Sequence, residues 1–487
     1  MSSNNQALTL FKDTERKLEA ISPSFCAAKW LQVTLHLSTG TNHSCHHPKV
    51  HFIPVDELEK NPSALHNTEY KKELRKQMKE GVRPGECDYC WRVEDSTKNQ
   101  PNVYSDRITK SSEVWAAPHL QKIAAMPWDA DVVPTYVEVD FDTTCNFKCA
   151  YCSPLYSTTW MQEIKQHGPY ILDGVGFNDI SDLSKGKGLP ILQSEENPYI
   201  EAFWKWWPDA VKSMHTFRIT GGEPLLSKNT FKVLDFLIEN PQPHLEFSLN
   251  SNLGSPPEVI EKFLEKLEII EQKKAVKQIH VFTSCEAHGK KAEYIRFGLD
   301  YDYWLKNVHK ILQRIETSRV TIMSTYNVLS ITSFLPFLKD MLEVKNTYAT
   351  PTRLLPLSVD VPYLRHPEWL APWIATENFT QHIVDCVTFM YANKEVTDWF
   401  PLQNRGFYDH EIHRMRRIHS LAVEQMGNTR KNLQARINFA KFIDEYDKRR
   451  GTDFFEVFPE YKDFYNYCKE TVLPEEENVK LVMNLQQ

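Results

Sequence analysis

The chain has 487 residues, 41% of them hydrophobic and 25% charged, an ordinary balance for a globular protein of roughly three domains with a sizeable core. Its net charge of −7 and pI near 6.2 argue against a general nucleic-acid binder, which carries a basic footprint. No apolar run approaches the roughly 20 residues that span a bilayer, and Met1 to Lys12 lacks the basic and apolar regions of a signal peptide. A cytoplasmic protein with neither membrane nor nucleic-acid partner is therefore expected. In that compartment the 10 cysteines read as metal ligands or reactive thiols before disulfides.

Residues 1–20 read as a polar tail. Residues 21–130 carry Cys26, Cys45, Cys87 and Cys90 but few long apolar segments. A small region with little core often needs a metal to hold it together. One helix is predicted from Asn67 to Glu80, stopped by Gly81. Its basic run, Lys71–Lys79, reads as a solvated face, as does Arg414–Arg417.

From residue 131 the pattern changes. Tyr136–Phe141 alternates and is rich in β-formers, predicting a strand. Further strands are predicted at Thr216–Thr220, Leu245–Asn250, Gln278–Ser284, Val320–Tyr326 and Arg353–Val359. Between them lie helical patterns at Asn229–Glu239, Pro257–Lys274, Tyr303–Ser318 and Ser333–Glu343, with another helix starting near Ser157. Such alternation predicts an α/β fold with a parallel sheet over residues 131–365, and six strands would make a partial (β/α)6 barrel. The first crossover is long. It holds five glycines between Gly168 and Gly188 and an aromatic run, Glu201–Trp207. Core packing is the ordinary use of Trp204, Trp206 and Trp207, and lining a pocket is the alternative. Residues 366–487 show no strand alternation and read as mainly helical.

The chemistry concentrates in Cys145-Asn-Phe-Lys-Cys149-Ala-Tyr-Cys152, a loop that follows the first predicted barrel strand. Thiolates are the standard ligands of iron–sulfur clusters. Three of them on a four-iron cluster leave one iron open to a small molecule. A zinc loop with a remote fourth ligand, or cysteines buried as small apolar residues, are the bland alternatives. A second motif, Thr220-Gly221-Gly222-Glu223-Pro224, follows the next strand about 70 residues later. Glycines allow close backbone approach to a ligand, and Glu223 can accept from an ammonium group. Alone, it could be a strand-ending turn.

Together these motifs resemble the radical S-adenosylmethionine (SAM) family. The triplet is similar to its C-x3-C-x2-C signature, including the aromatic Tyr151 before the last cysteine, and Gly221–Pro224 is similar to its GGEP motif. The resemblance implies a [4Fe–4S] cluster on Cys145, Cys149 and Cys152, with SAM chelated to the open iron and lined by Gly221, Gly222, Glu223 and Pro224. Reductive cleavage of SAM would give a 5′-deoxyadenosyl radical. Asn250, Ser284 and Arg296 match the family's polar strand ends and downstream arginine, with Glu286 where an aspartate is more usual. Each could instead cap a neighbouring helix.

The N-terminal cysteines read as a second metal site. Zinc is one candidate, with His43, His46 or His47 able to replace Cys26. The segment also resembles the SPASM and twitch modules of radical SAM enzymes. It has Cys45 to Pro48, a basic helix, and a Gly-x-x-Pro-x-x-Cys-x-x-Cys-Trp end from Gly81 to Trp91. That likeness implies an auxiliary [4Fe–4S] cluster on Cys26, Cys45, Cys87 and Cys90, although the family module usually follows the barrel.

The reading is thus a radical SAM enzyme acting on a peptide, protein or small metabolite, with flavodoxin or ferredoxin as the implied electron donor. The alternatives are a non-catalytic zinc- or cluster-stabilised binding protein and an RNA-modifying radical SAM enzyme.

Overall fold

The computed structural model describes residues 3–98, 100, 102–350, 353, 355–395 and 406–473. In chain order the strands are β1 (Gln32–His36), β2 (Thr41–His43), β3 (His51–Phe52), β4 (Tyr136–Asp140), β5 (Lys148–Cys149), β6 (Tyr170–Ile171), β7 (Gly176–Phe177), β8 (Thr216–Thr220), β9 (Gln242–Ser251), β10 (Val276–Ser284), β11 (Arg296–Phe297), β12 (Arg319–Met323) and β13 (Leu357–Asp360). The chain divides into two compact units. The first is Met1–Cys145, Leu183–Ser251 and Ser255–Val281; the second is Asn146–Asp182, Asn252–Gly254 and Phe282–Gln487.

In the first unit the strand order is β10-β9-β8-β4-β1-β2-β3. Strands β1, β4, β8 and β9 are parallel, and the register aligns Val33, Val137, Phe217 and Phe247 in one row and Leu35, Val139, Ile219 and Leu249 in the next. All eight are buried. Burying side chains of this size contributes about 1.5–3 kcal/mol each, which holds the register, since a one-residue slip would turn every one of them over. The alternation seen at β4 and β8 thus builds the parallel sheet of an α/β fold.

Strand β1 was not among the predicted strands. It comes from the cysteine-rich N-terminal segment and pairs in parallel with β4. Its signal was the alternation of Val33, Leu35 and Leu37. The N-terminal segment also has more core than its composition suggested: Leu18, Phe25, Trp30, Met78, Trp91 and Ile108 belong to one buried cluster. The expected polar tail is instead the helix Ser3–Glu19, with Thr14 and Leu18 buried.

The basic helix, Glu69–Lys79, corrects another expectation. Lys71, Leu74, Arg75 and Met78 form an inward stripe, the spacing of one helix face. Lys71 Nζ lies 2.9 Å from His66 Nδ1, and Arg75 donates to Asn67 Oδ1 at 2.9 Å. Two cations of the run are therefore buried and partnered. Arg414, Arg416 and Arg417 are exposed, as read from sequence. The aromatic run lies in the helix Pro198–Ala210, where Trp206 and Trp207 are buried and Trp207 packs 4.3 Å from Phe217.

The second unit contains the parallel pair β12–β13, the antiparallel pair β5–β11 and the hairpin β6–β7. The strand expected at Arg353–Val359 begins only at Leu357, and residues 351, 352 and 354 lie outside the described residues. Beyond β13 the long elements are the helices Thr380–Ala392, Asp409–Gln425 and Arg430–Arg450. Among the described residues after 365 there is no strand. The last of these helices starts on Thr429, whose hydroxyl accepts from Asn432 N, and stops at Gly451 in the left-handed region (φ +65°), a conformation that costs glycine little.

Candidate functional site

Within the first unit the four N-terminal cysteines converge. Cys26 precedes the short helix Ala28–Leu31, Cys45 lies in the loop after β2, and Cys87 and Cys90 sit one turn apart where the helix Asp88–Ser96 begins. All four line one pocket with Lys29 and Met78. None of the ten cysteines is in a disulfide. Burial pushes the Cys87 thiol up to about 12 and raises those of Cys45 and Cys90, and neighbouring thiols of the set add to each shift. Thiols crowded this way gain from a cation that can bind their deprotonated forms. Buried Lys29 approaches them while pairing with Glu86.

The histidines weighed as substitutes for Cys26 do other things. His43 Nδ1 bonds the Cys45 carbonyl at 2.6 Å and its Nε2 lies 3.2 Å from His36 Nε2. His47 stacks on Tyr89 at 3.6 Å and bonds Asp106 at 2.8 Å, tying the Cys45 loop to the Cys87–Cys90 helix. His46, His47 and Asp106 bring ligand atoms within 4.8 Å of one another, the one such set of histidine, cysteine and acidic side chains among the described residues. No three of the four thiols meet that spacing.

The Gly-Gly-Glu-Pro turn also lies in the first unit. Because β4 and β8 run parallel with Asp140 opposite Thr220, the turn after β8 meets the segment after β4. Gly222 N donates to Asp142 O at 3.2 Å and Glu223 N to Thr144 O at 2.6 Å. A Cβ on Gly222 would lie 2.4 Å from Thr144 O, and one on Gly221 (φ +116°) 2.8 Å from Asp142 O. The glycines are thus required by close approach to the chain leading into Cys145, a different neighbour from the ligand inferred from sequence. Glu223 is buried, and its Oε1 accepts from Ser251 Oγ at 2.7 Å and Leu225 N at 3.0 Å. Pro224 opens the 3-10 turn that follows.

In the second unit, Cys149 lies on β5 opposite Arg296 on β11. Arg296 donates to Glu286 Oε2 from Nε at 2.8 Å and from Nη2 at 2.6 Å, and to Tyr151 Oη at 2.6 Å. Tyr151 donates to Glu286 Oε1 at 3.1 Å. The remaining guanidinium nitrogen stands 3.8 Å from Cys149 Sγ. Four of the predicted residues therefore form one contact set. Burial raises the Cys149 thiol, while Arg296 and Arg450 pull it down. Burial also takes Cys152 up to about 12.

No family model matches the chain and no curated protein matches it. Among solved structures it is similar to SuiB from Streptococcus suis. The crystal structure of SuiB aligns at 13% identity and TM-score 0.31, over 66% of this chain and 62% of that one. SuiB bound to the precursor peptide SuiA gives 14% and 0.31, over 75% and 70%. SuiB bound to S-adenosylmethionine gives 14% and 0.32, over 74% and 69%. The chain covers less than two thirds of the first of these. At such scores the functional reading rests on the site's own residues.

The other predicted residues are more dispersed. Asn250, in the first unit, accepts from Arg218 Nε at 2.9 Å. Ser284 ends β10, half-buried. Sequence reasoning missed Lys148 on β5 and the Glu163 and Arg450 side chains packed beside it. Lys148 Nζ lies 2.7 Å and Arg450 Nε 3.2 Å from Glu163. Arg450 is 302 residues from Lys148 along the chain, so no local pattern could have joined them. Among the described residues, no helix is long and apolar enough to cross a membrane.

Proposed function

We propose that this chain is a radical SAM enzyme. Cys145, Cys149 and Cys152 would hold a [4Fe–4S] cluster, and the backbone of Gly221–Pro224 would line SAM. When bound, that pair supplies reductive cleavage of the sulfonium and a 5′-deoxyadenosyl radical. The observation that carries the reading is the packing of the Gly-Gly-Glu-Pro turn on Asp142–Thr144, the residues that run straight into Cys145. The turn after β8 thus packs on the residues that follow the parallel strand β4, and strand C-terminal ends of this kind are where parallel α/β folds build active sites.

The chain's own residues do the positioning. Glu223 stiffens the turn through Ser251 and Leu225 N. Asn250 and Ser284 are proposed SAM contacts. Arg296, Glu286 and Tyr151 engage one another, and we assign them to the support of Cys149. Burial around them excludes water from the reacting centre.

Cys26, Cys45, Cys87 and Cys90 would hold an auxiliary [4Fe–4S] cluster. A tetrahedral zinc with Zn–S near 2.3 Å brings its sulfurs to about 3.8 Å from each other. The four thiols line one pocket, and iron and zinc analysis decides between the two metals. The substrate class proposed is a peptide or small metabolite, with flavodoxin or ferredoxin as electron donor.

Anaerobic iron and sulfide analysis tests the reading. Wild type is expected to bind about eight irons as two four-iron clusters, and to release 5′-deoxyadenosine on reduction with SAM. Cys145→Ala/Cys149→Ala/Cys152→Ala should retain about four irons and release none. Colourless wild-type protein containing zinc would overturn the proposal.

A further inference from the structure

The helix Arg430–Arg450 ends on the cysteine loop, inside the second unit. Its last residue, Arg450, has a fully buried side chain (0% exposed) and donates from Nη1 to the carbonyl of Lys148, the residue before Cys149, at 2.6 Å. The guanidinium lies 3.8 Å from the Tyr446 ring, 4.7 Å from Trp160 and 5.3 Å from Phe297. Two of those rings also hold β5. Trp160 Nε1 donates to the Cys149 carbonyl at 2.9 Å, and Phe297 is paired with Lys148 across β11–β5. Arg450 therefore grips the strand that presents Cys149, both directly and through its packing partners.

The charges on β5 and around it do not balance. Lys148, Arg296 and Arg450 are the cations, with Glu163 serving both Lys148 and Arg450, and Glu286 serving Arg296. Three cations face two carboxylates. Arg296 Nη1 stands 3.8 Å from Cys149 Sγ, so positive charge lies beside that sulfur.

We propose that Arg450 is a positioning residue for the cysteine loop. It fixes the Lys148–Cys149 backbone and, with Arg296, supplies the positive charge that a thiolate-ligated, anionic cluster at Cys149 requires. This rests on the iron–sulfur reading above and gives the C-terminal helical region a role at the metal centre. A nearby cation favours the more negative, reduced form of a cluster, so it raises the reduction potential.

The experiment is an EPR-monitored redox titration of the full-length, reconstituted protein, with iron analysis and thermal unfolding alongside. The variants are Arg450→Gln, Arg450→Lys and, as a control, Arg449→Gln. Arg449 donates to Gly168 O at 2.8 Å and Pro169 O at 3.1 Å and does not bond β5. Arg450→Gln is expected to move one cluster potential to more negative values, leaving the N-terminal cluster as internal reference. Arg450→Lys retains the charge and should stay close to wild type, and Arg449→Gln should shift neither potential. The proposal falls if Arg450→Gln titrates as wild type, if Arg450→Lys shifts as far as Arg450→Gln, or if Arg449→Gln shifts equally. Should Arg450→Gln fail to fold, Arg450→Lys decides alone: a wild-type potential supports the proposal and a shifted one overturns it. Wild type that binds no iron would instead sink the radical SAM reading itself.

Discussion

Arg296 reaches Glu286 with two of its nitrogens, at 2.8 and 2.6 Å, and neither side chain is more than 7% exposed. Removing one partner of such a pair leaves a buried charge alone, which costs about 3–5 kcal/mol, whereas replacing both with apolar groups costs much less. Glu286→Gln is therefore expected to be destabilised by about 3 kcal/mol, and Glu286→Leu/Arg296→Met to recover much of the loss. Urea unfolding of the metal-free chain measures the cycle. Equal loss in the single and double variants would refute the pairing.

Gly222→Ala should disturb the cysteine loop although residue 222 is not a cysteine. The new methyl group would meet the backbone of Thr143 and Thr144 at 2.4–2.7 Å, and backbone cannot rotate away as a side chain can. A destabilisation of about 1–3 kcal/mol and reduced iron at the triplet are expected. Iron content beside the N-terminal double variant Cys87→Ala/Cys90→Ala shows which cluster is affected.

Stability should fall on mild acidification through buried histidines. Burial, with Lys71 adding, holds His51 down to about 4, and burial takes His66 well below its usual range. Such a ring is neutral when folded but protonates near pH 6.5 when unfolded, so the unfolded state gains protons first. The stability is present above about pH 6.5 and is lost as pH falls towards 4, by about 3 kcal/mol for His51 at 1.36 kcal/mol per unit. Unfolding free energies across that window should slope less in His51→Asn than in wild type.

The C-terminal helices should be integral to the second unit. Buried Glu411 accepts from Lys345 Nζ at 3.0 Å, Tyr408 N at 2.7 Å and, on β13, Val359 N at 2.6 Å. Glu411→Ala removes a shared acceptor from three buried donors, although Lys345 Nζ keeps its bond to the Leu357 carbonyl at 3.1 Å, for an expected loss of about 3 kcal/mol. Thermal unfolding would detect it, and Lys345→Met in the same chain should restore part of the loss.

Local order was legible before any coordinates. Strands β4 and β8, the helix opened by Ser157, and the positions of both cysteine groups all follow from period, caps and spacing, because neighbours in sequence carry those signals. What the fold alone decided are the long-range meetings. The first is β1 lying beside β4. The second is Lys71 and Arg75 turning inward to His66 and Asn67. The third is Gly222 pressed on Thr144, and the fourth is Arg450 closing on Lys148. Each depends on which surfaces the sheet and helices bring together once their apolar faces are buried. Charge and hydrogen-bond partners are chosen at that stage, and a one-dimensional pattern carries no record of a partner hundreds of residues away.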